Sequence, residues 1–372
     1  MSTKAELYWL RRALANSSKA FNTAEIQLLL LKRQYEKSKR KLRRDIDEFY
    51  KELGEDVSPA AANQELKDRS GITRKEKLLQ QIEDELDQLT TAEEELLQKT
   101  LGGTYRGAYY RSIYKVQHKL GIGVDFALLP TRAVEQAVKT AWSGDNYSTL
   151  IWKRRKKLAK AAGEIVQDGV NLGESNDQMA SKLAEIMDSS YSRAKRLIRT
   201  ETAYVYNAAS MKGYEEAGIE RYQFLATLDM RTSKPCQRLD NQVFYLKDAQ
   251  VSVNMPPIHP NCRSTTIPYF DDNELRERIA RGLDGKTYKV PANMDYATWY
   301  KEHVEGKHPE SEITAAQKKI RNKSQDRKQY EKVKETLGKG SPKTFAAFQQ
   351  LKYNEVEKWQ QTKRKVRQLK NK

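Results

Sequence analysis

The first hundred residues constrain the fold most, because their apolar side chains recur at steps of three and four. Leu28, Leu31, Tyr35, Leu42 and Phe49 fall on one seam, interrupted by Ser38 and Asp45. Leu79, Ile82, Leu86, Leu89 and Leu96 fall on a second, missing only at Glu93. This spacing lines one stripe of a helix, whereas a strand turns alternate residues to opposite faces. Thr73 and Glu76 form a capping-box pattern ahead of the second seam. Residues 54–71 carry Gly, Ser-Pro and Asn and predict a break between the seams. Both seams are short, so an antiparallel hairpin within the chain is expected ahead of a coiled coil with another chain.

The remaining composition agrees with exposed helices over a lean core. The chain has 372 residues, of which 38% are apolar and 32% charged, and its mean hydropathy is −0.86. That length allows two or three domains. The net charge of +18 predicts a polyanionic partner, nucleic acid ahead of an anionic membrane. The N-terminal stretch lacks the apolar core of a signal peptide. The longest aliphatic run, Leu28–Leu31, falls far short of the roughly 20 residues that cross a bilayer. A soluble protein, intracellular when made, is therefore expected, with its two cysteines reduced.

Along the chain, Gly102-Gly103 is expected to end the helical arm. From Pro130 to about Met211 the pattern is again helical, with breaks at Ser143–Asn146, Asn171–Gly173 and Ser189-Ser190. Ser175 reads as the N-cap of the helix through Met179, Leu183 and Met187. After Gly218, the alternation from Tyr222 to Leu228 has the period of a strand. Val243–Leu246 and Thr265–Ile267 are two further strand candidates, and Asp240-Asn241 marks a turn. Beyond Phe270 helix is expected, ending in a strongly basic tail. The fold class is mainly α: a helical arm over 1–100, a body over 101–300 containing a small antiparallel sheet at 220–270, and a basic helical tail over 301–372.

Both cysteines, Cys236 and Cys262, lie between Leu228 and Tyr269, as does His259 in a Pro-rich run. Cys236, His259 and Cys262 offer two thiolates and an imidazole, ligands that suit zinc. Asp229 or Asp240 could supply a fourth. A Cys-His nucleophile pair oriented by Asp229 is a second reading. The third is a rigid cap, with the prolines fixing φ, Asp229 and Arg231 tying the turn, and the cysteines packing beneath. Arg199 and Glu201 stand two apart on a helix and face different ways, so each is expected to tether the helix to the sheet rather than form a dyad. From Glu310 to Lys372 there are 18 Lys and Arg against 7 Asp and Glu. Phe345, Phe348, Tyr353 and Trp359 interleave with them, a pattern that suits sequence-independent contact with phosphates and bases through Lys358, Lys363, Arg364, Lys365, Arg367 and Lys370. The chain carries no Walker A motif, no Gly-rich dinucleotide turn and no His-Glu-x-x-His helix.

One set of residues resembles a known family, the Mu F-like minor head proteins of tailed bacteriophages, which act in head morphogenesis. The matching pattern is Arg199-Thr200-Glu201 with Asn207, then Asp229, Arg231, Thr232 and Cys236, then Leu239-Asp240, then Pro256-Pro257, His259-Pro260-Asn261-Cys262-Arg263. It covers about residues 130–300. Asn241 stands where the family often has Gly, and Ser264 where many relatives have Cys, which removes a fourth metal ligand. The resemblance implies a structural protein without catalytic residues or cofactor, zinc apart. It implies a place inside the phage head at the portal vertex, after assembly in the host cytoplasm. It also implies action in procapsid assembly and in DNA packaging or ejection. The implied partners are the portal protein, double-stranded phage DNA and a scaffold or major capsid protein, with no membrane. A Cys-His or metal-dependent hydrolase or nuclease is the alternative.

Overall fold

The structure is a computed structural model, described here for residues 3–52, 69–120, 128–270 and 277–370. Two compact units are distinguished: Met1–Phe224 with Gln242–Asp271, and Leu225–Asn241 with Asp272–Lys372. Most of residues 54–71, and Gly121-Ile122-Gly123, lie outside the described residues.

The first unit is built on four long or mid-length helices: α1 (Thr3–Glu52), α2 (Arg69–Leu120), α4 (Tyr147–Leu172) and α5 (Asn176–Glu216), with the short α3 (Thr131–Val138) between α2 and α4. The two apolar seams meet within the chain. Leu28, Leu31, Leu42, Ile82 and Leu86 are all buried in one core with Met179, Leu183 and Ile198 of α5. Lys77 pairs with Glu52, and Ser38 donates to Glu85 at 2.6 Å, so α1 and α2 run antiparallel. Arg43 pairs with Asp177 and Arg199 with Glu25, so α5 also runs antiparallel to α1.

The polar interruptions of the seams turn out to be buried links. Ser38 holds Glu85. Glu93 is buried, receives the Tyr35 hydroxyl at 3.2 Å, and forms an ion pair with Arg154 of α4. Polar partners at these depths fix the register of the helices, because any slip strands a charge away from water.

Three expected helix boundaries are absent. α2 begins at Arg69, ahead of the Thr73–Glu76 pattern, and runs through Gly102-Gly103 to Leu120. Interior glycines cost a helix about 1 kcal/mol each, and burial of Leu101, Tyr105, Ala108 and Tyr109 offsets that cost. α5 also passes unbroken through Ser189-Ser190, where buried Ser190 meets the Tyr35 hydroxyl at 3.2 Å. The expected cap at Ser175 is present as a full capping box with Gln178. Gly213 lets α5 close on α2, since a Cβ there would stand 2.7 Å from Ser112.

The unit ends in a small sheet of β1 (Arg221–Leu225), β2 (Val243–Tyr245) and β3 (Thr265–Pro268), ordered β2-β1-β3. β1 and β2 pair antiparallel, with Tyr222 opposite Phe244. Inside, the Asn207 side-chain oxygen accepts from Thr265 and Thr266 at 3.5 and 3.4 Å, linking α5 to β3.

The second unit corrects the helical expectation beyond Phe270. It holds an antiparallel hairpin, β4 (Glu277–Arg281) and β5 (Thr287–Pro291), turning at Gly285 with φ of +82°. The alternation was hidden because Arg278, not an apolar residue, occupies an inward position. Its guanidinium meets the Asp240 carboxylate at 2.9 Å. Asp240 follows α6 (Lys234–Leu239), and Asn241 beside it takes the left-handed φ of +64°. Trp299, Val290, Ala280 and Leu228 form the core here, with α7 (Tyr296–Trp299) and its π-helical continuation Tyr300–Glu305.

The basic tail is folded. Helices α8 (Glu310–Arg321), α9 (Lys323–Leu337), α10 (Phe345–Asn354) and α11 (Val356–Lys370) enclose Tyr330, Val333, Phe348 and Trp359. Asp326, fully buried, receives Lys352 at 2.7 Å, Gln349 at 2.8 Å and the Tyr353 hydroxyl at 3.0 Å. Among the described residues no helix is long and apolar enough to cross a membrane.

Candidate functional site

The second half of α5 carries Arg193, Arg196, Leu197, Thr200, Glu201 and Tyr204, spaced to share one side of the helix. They face Leu150, Lys153, Arg154 and Lys157 of α4, which recur at steps of three and four for the same reason. Trp142, just ahead of α4, and the loop from Ser252 to Pro260 complete the walls. Together they enclose a cavity of about 550 Å³ within the first unit.

Glu201 is its most perturbed group. It is 2% exposed, and both carboxyl oxygens accept from the Trp142 indole at 3.1–3.2 Å. Burial pushes its carboxyl up to about 7, against the opposing effect of the Trp142 hydrogen bond. No cation pairs with it among the described residues. Trp142 itself is braced by Tyr204, stacked at 4.9 Å and 15°.

The cations around the cavity differ in availability. Lys153 pairs with Asp145 and Arg154 with Glu93. Lys157, Arg193 and Arg196 make no ion pair among the described residues, and all three are exposed.

The loop closing the cavity is anchored by α5, because Thr200 Oγ1 accepts from the Asn261 amide at 3.0 Å. Within it, Ser252 donates to the Pro257 carbonyl at 3.0 Å, across a cis Pro256-Pro257 bond. His259 has its Nδ1 2.9 Å from the Pro260 carbonyl. A hydrogen bond to Cys262 holds the His259 ring above the ordinary imidazole range.

The other residues singled out in the sequence are placed as follows. Arg199 forks onto Glu25 of α1 at 2.5 and 2.7 Å, so it ties α5 to another helix and not to the sheet. Glu201 likewise bonds Trp142, outside the sheet, and the residue that does reach the sheet is Asn207. Asp229 shapes its own turn in the second unit, its carboxylate accepting from the Arg231 amide at 2.9 Å and from Thr232 Oγ1 at 3.2 Å. Arg231 extends its side chain toward the same carboxylate at 3.8 Å. Asp240 is taken up by Arg278 and by the Ala226 amide at 2.8 Å. Both cysteines are buried and neither is in a disulfide among the described residues; the Cys236 amide, in α6, donates to the Ser233 side chain at 3.5 Å. Arg263 is half-buried beside Cys262.

In the tail, Lys358, Arg364, Lys365 and Arg367 are exposed and Lys363 is half-exposed on α11, while the side chain of Lys370 lies outside the described residues. Phe348 and Trp359 are buried in the tail's own core, so they are not displayed for stacking on bases. The α4 cations were missed by sequence reasoning, although Lys153, Arg154 and Lys157 at helical spacing were a signal for them.

Residues 160–267 match the family described as Phage Mu protein F like protein, a stretch that holds the second half of α4, all of α5 and nearly all of the small sheet. Three curated proteins are similar over longer stretches. An NAD(+)--arginine ADP-ribosyltransferase EFV of Enterococcus faecalis is 25% identical over 60% of this chain and 49% of its own length. An uncharacterized protein of Haemophilus influenzae is 24% identical over 43% of this chain and 35% of its own. Minor head protein GP7 of Bacillus phage SPP1 is 25% identical over 56% of this chain and 71% of its own. The chain thus spans about half or less of the first two relatives. No solved structure matches significantly.

Proposed function

We propose that this chain is a minor head protein of a tailed bacteriophage, located in the virion at the portal vertex and acting in head assembly and in DNA packaging or ejection. The observation that carries this reading is the match of residues 160–267 to the Mu F-like family, joined by similarity to Minor head protein GP7 over 71% of that protein. Long helices with buried polar registers suit a protein that must keep its shape while attached to other subunits. The exposed cations of α11 suit sequence-independent contact with DNA phosphates, while Phe348 and Trp359 are internal to the tail.

Co-expression with candidate phage portal subunits, read by pull-down and native mass, tests the reading. Co-purification is the expected outcome, and failure with every portal tried counts against it. DNA binding is tested by replacing Lys363, Arg364, Lys365 and Arg367 with Gln. The salt slope of binding to duplex DNA should fall if these residues neutralise phosphates.

Zinc belongs to the same proposal. Cys236 of the second unit and His259 and Cys262 of the first are residue types that zinc takes as ligands. They supply three protein ligands, fewer than a closed structural zinc site uses, and Ser264 adds no thiolate. Metal analysis of the purified protein, with Cys262→Ser alongside, decides between zinc, retained by the native chain and lost in the variant, and a cap in which the cysteines only pack.

A further inference from the structure

The cavity over Glu201 asks for a ligand with two unlike ends. At its floor lies a buried carboxyl that repels an anion whenever it is ionised and rewards an N–H donor. At its rim stand Lys157, Arg193 and Arg196, exposed and without ion-pair partners among the described residues. Leu150, Leu197 and the braced Trp142 supply apolar wall between them. At about 550 Å³ the cavity falls in the size range of small-molecule sites. An acidic peptide would satisfy the rim and leave the floor carboxyl facing further carboxylates. A purine or cytosine ring presents amino N–H groups at one end and carries its phosphates at the other.

We propose that this cavity binds a nucleoside phosphate, its base directed to Glu201 and Trp142 and its phosphates to Lys157, Arg193 and Arg196. A free nucleotide and the terminal nucleotide of a DNA strand share that chemistry. The proposal does not depend on the head-protein reading, nor on the cations of α11, which belong to the other unit. Its failure and theirs are therefore separable.

The test uses the full chain and calorimetric titration with three probes: dGTP, inorganic triphosphate, and a short 5′-phosphorylated single-stranded oligonucleotide. The change in tryptophan fluorescence is followed alongside, with Trp142→Phe to assign it. Saturable binding of dGTP or the oligonucleotide is expected, tighter than triphosphate. Arg193→Ala combined with Arg196→Ala should weaken it by about tenfold or more, with the melting temperature unchanged because both side chains are exposed. Glu201→Ala should remove the advantage of base-bearing probes over triphosphate. Binding of dGTP identifies a free nucleotide as the ligand, and binding of the oligonucleotide alone identifies a strand end. Three results overturn the proposal: no saturable binding of dGTP or the oligonucleotide, triphosphate binding as tightly as whichever of those two binds, or affinity unchanged in the double arginine variant.

Discussion

Glu201 in the first unit and Asp240 in the second are both carboxyls removed from water, yet their surroundings differ in one respect. Asp240 meets a guanidinium at 2.9 Å and a backbone amide at 2.8 Å. Glu201 has only the indole of Trp142 and an adjoining cavity. A buried charge with a matched counter-charge is an internal fastener, costly to break and closed to a ligand. A buried carboxyl without one stores an unmet electrostatic demand, which is how binding sites are commonly provisioned. The difference separates a residue that holds its unit together from one available for recognition.

The sharpest break of this comparison is Arg278→Ala. It leaves Asp240 buried without its partner and should destabilise the second unit by about 3–5 kcal/mol, read by chemical denaturation. Adding Asp240→Ala should recover part of that loss.

The next effect concerns Glu201 and pH. Its folded-state value of about 7 lies above the ordinary 4.5, so the fold favours its neutral form. Its contribution is fully present below the ordinary value and is lost as pH rises through about 7. The stability of the first unit should therefore fall by about 3 kcal/mol over that window, and Glu201→Gln should flatten the dependence. A flat native profile would mean that burial does not hold Glu201 in its neutral form.

Asn207→Ala removes one of the links between α5 and β3, the contacts of its side-chain oxygen with the buried Thr265 and Thr266 hydroxyls, at about 1–3 kcal/mol. Arg199→Ala breaks an exposed ion pair and should cost less than about 1 kcal/mol. A larger loss at Arg199 than at Asn207 would invert the reading of which motif residue carries structure.

Much of the helical half was legible in the sequence. The seams through Leu28 and Leu86 identified the faces that pair, because apolar periodicity reports burial directly. The box at Ser175 was legible because capping is a local hydrogen-bond exchange. The strands at Tyr222, Val243 and Thr265 were legible from alternation and turn residues. The hairpin at Glu277–Pro291 was not, since Arg278 points inward and mimics a solvent position; Asp284-Gly285 was the turn signal that could have revealed it. The expected stops at Gly102-Gly103 and Ser189-Ser190 failed because packing on both sides of a weak helical step outweighs its intrinsic cost.

The sequence by itself determined the class of the fold, the existence of the apolar stripes and the motif shared with Mu F-like proteins, all properties set by local order along the chain. Only the tertiary structure decided that Glu93, Ser38 and Asp326 are buried links rather than surface charges, that Trp359 serves the tail's core, and that Glu201 adjoins a cavity ringed by cations. Burial and charge pairing depend on residues distant in sequence. The identity of a polar side chain says nothing of its depth until the helices are packed.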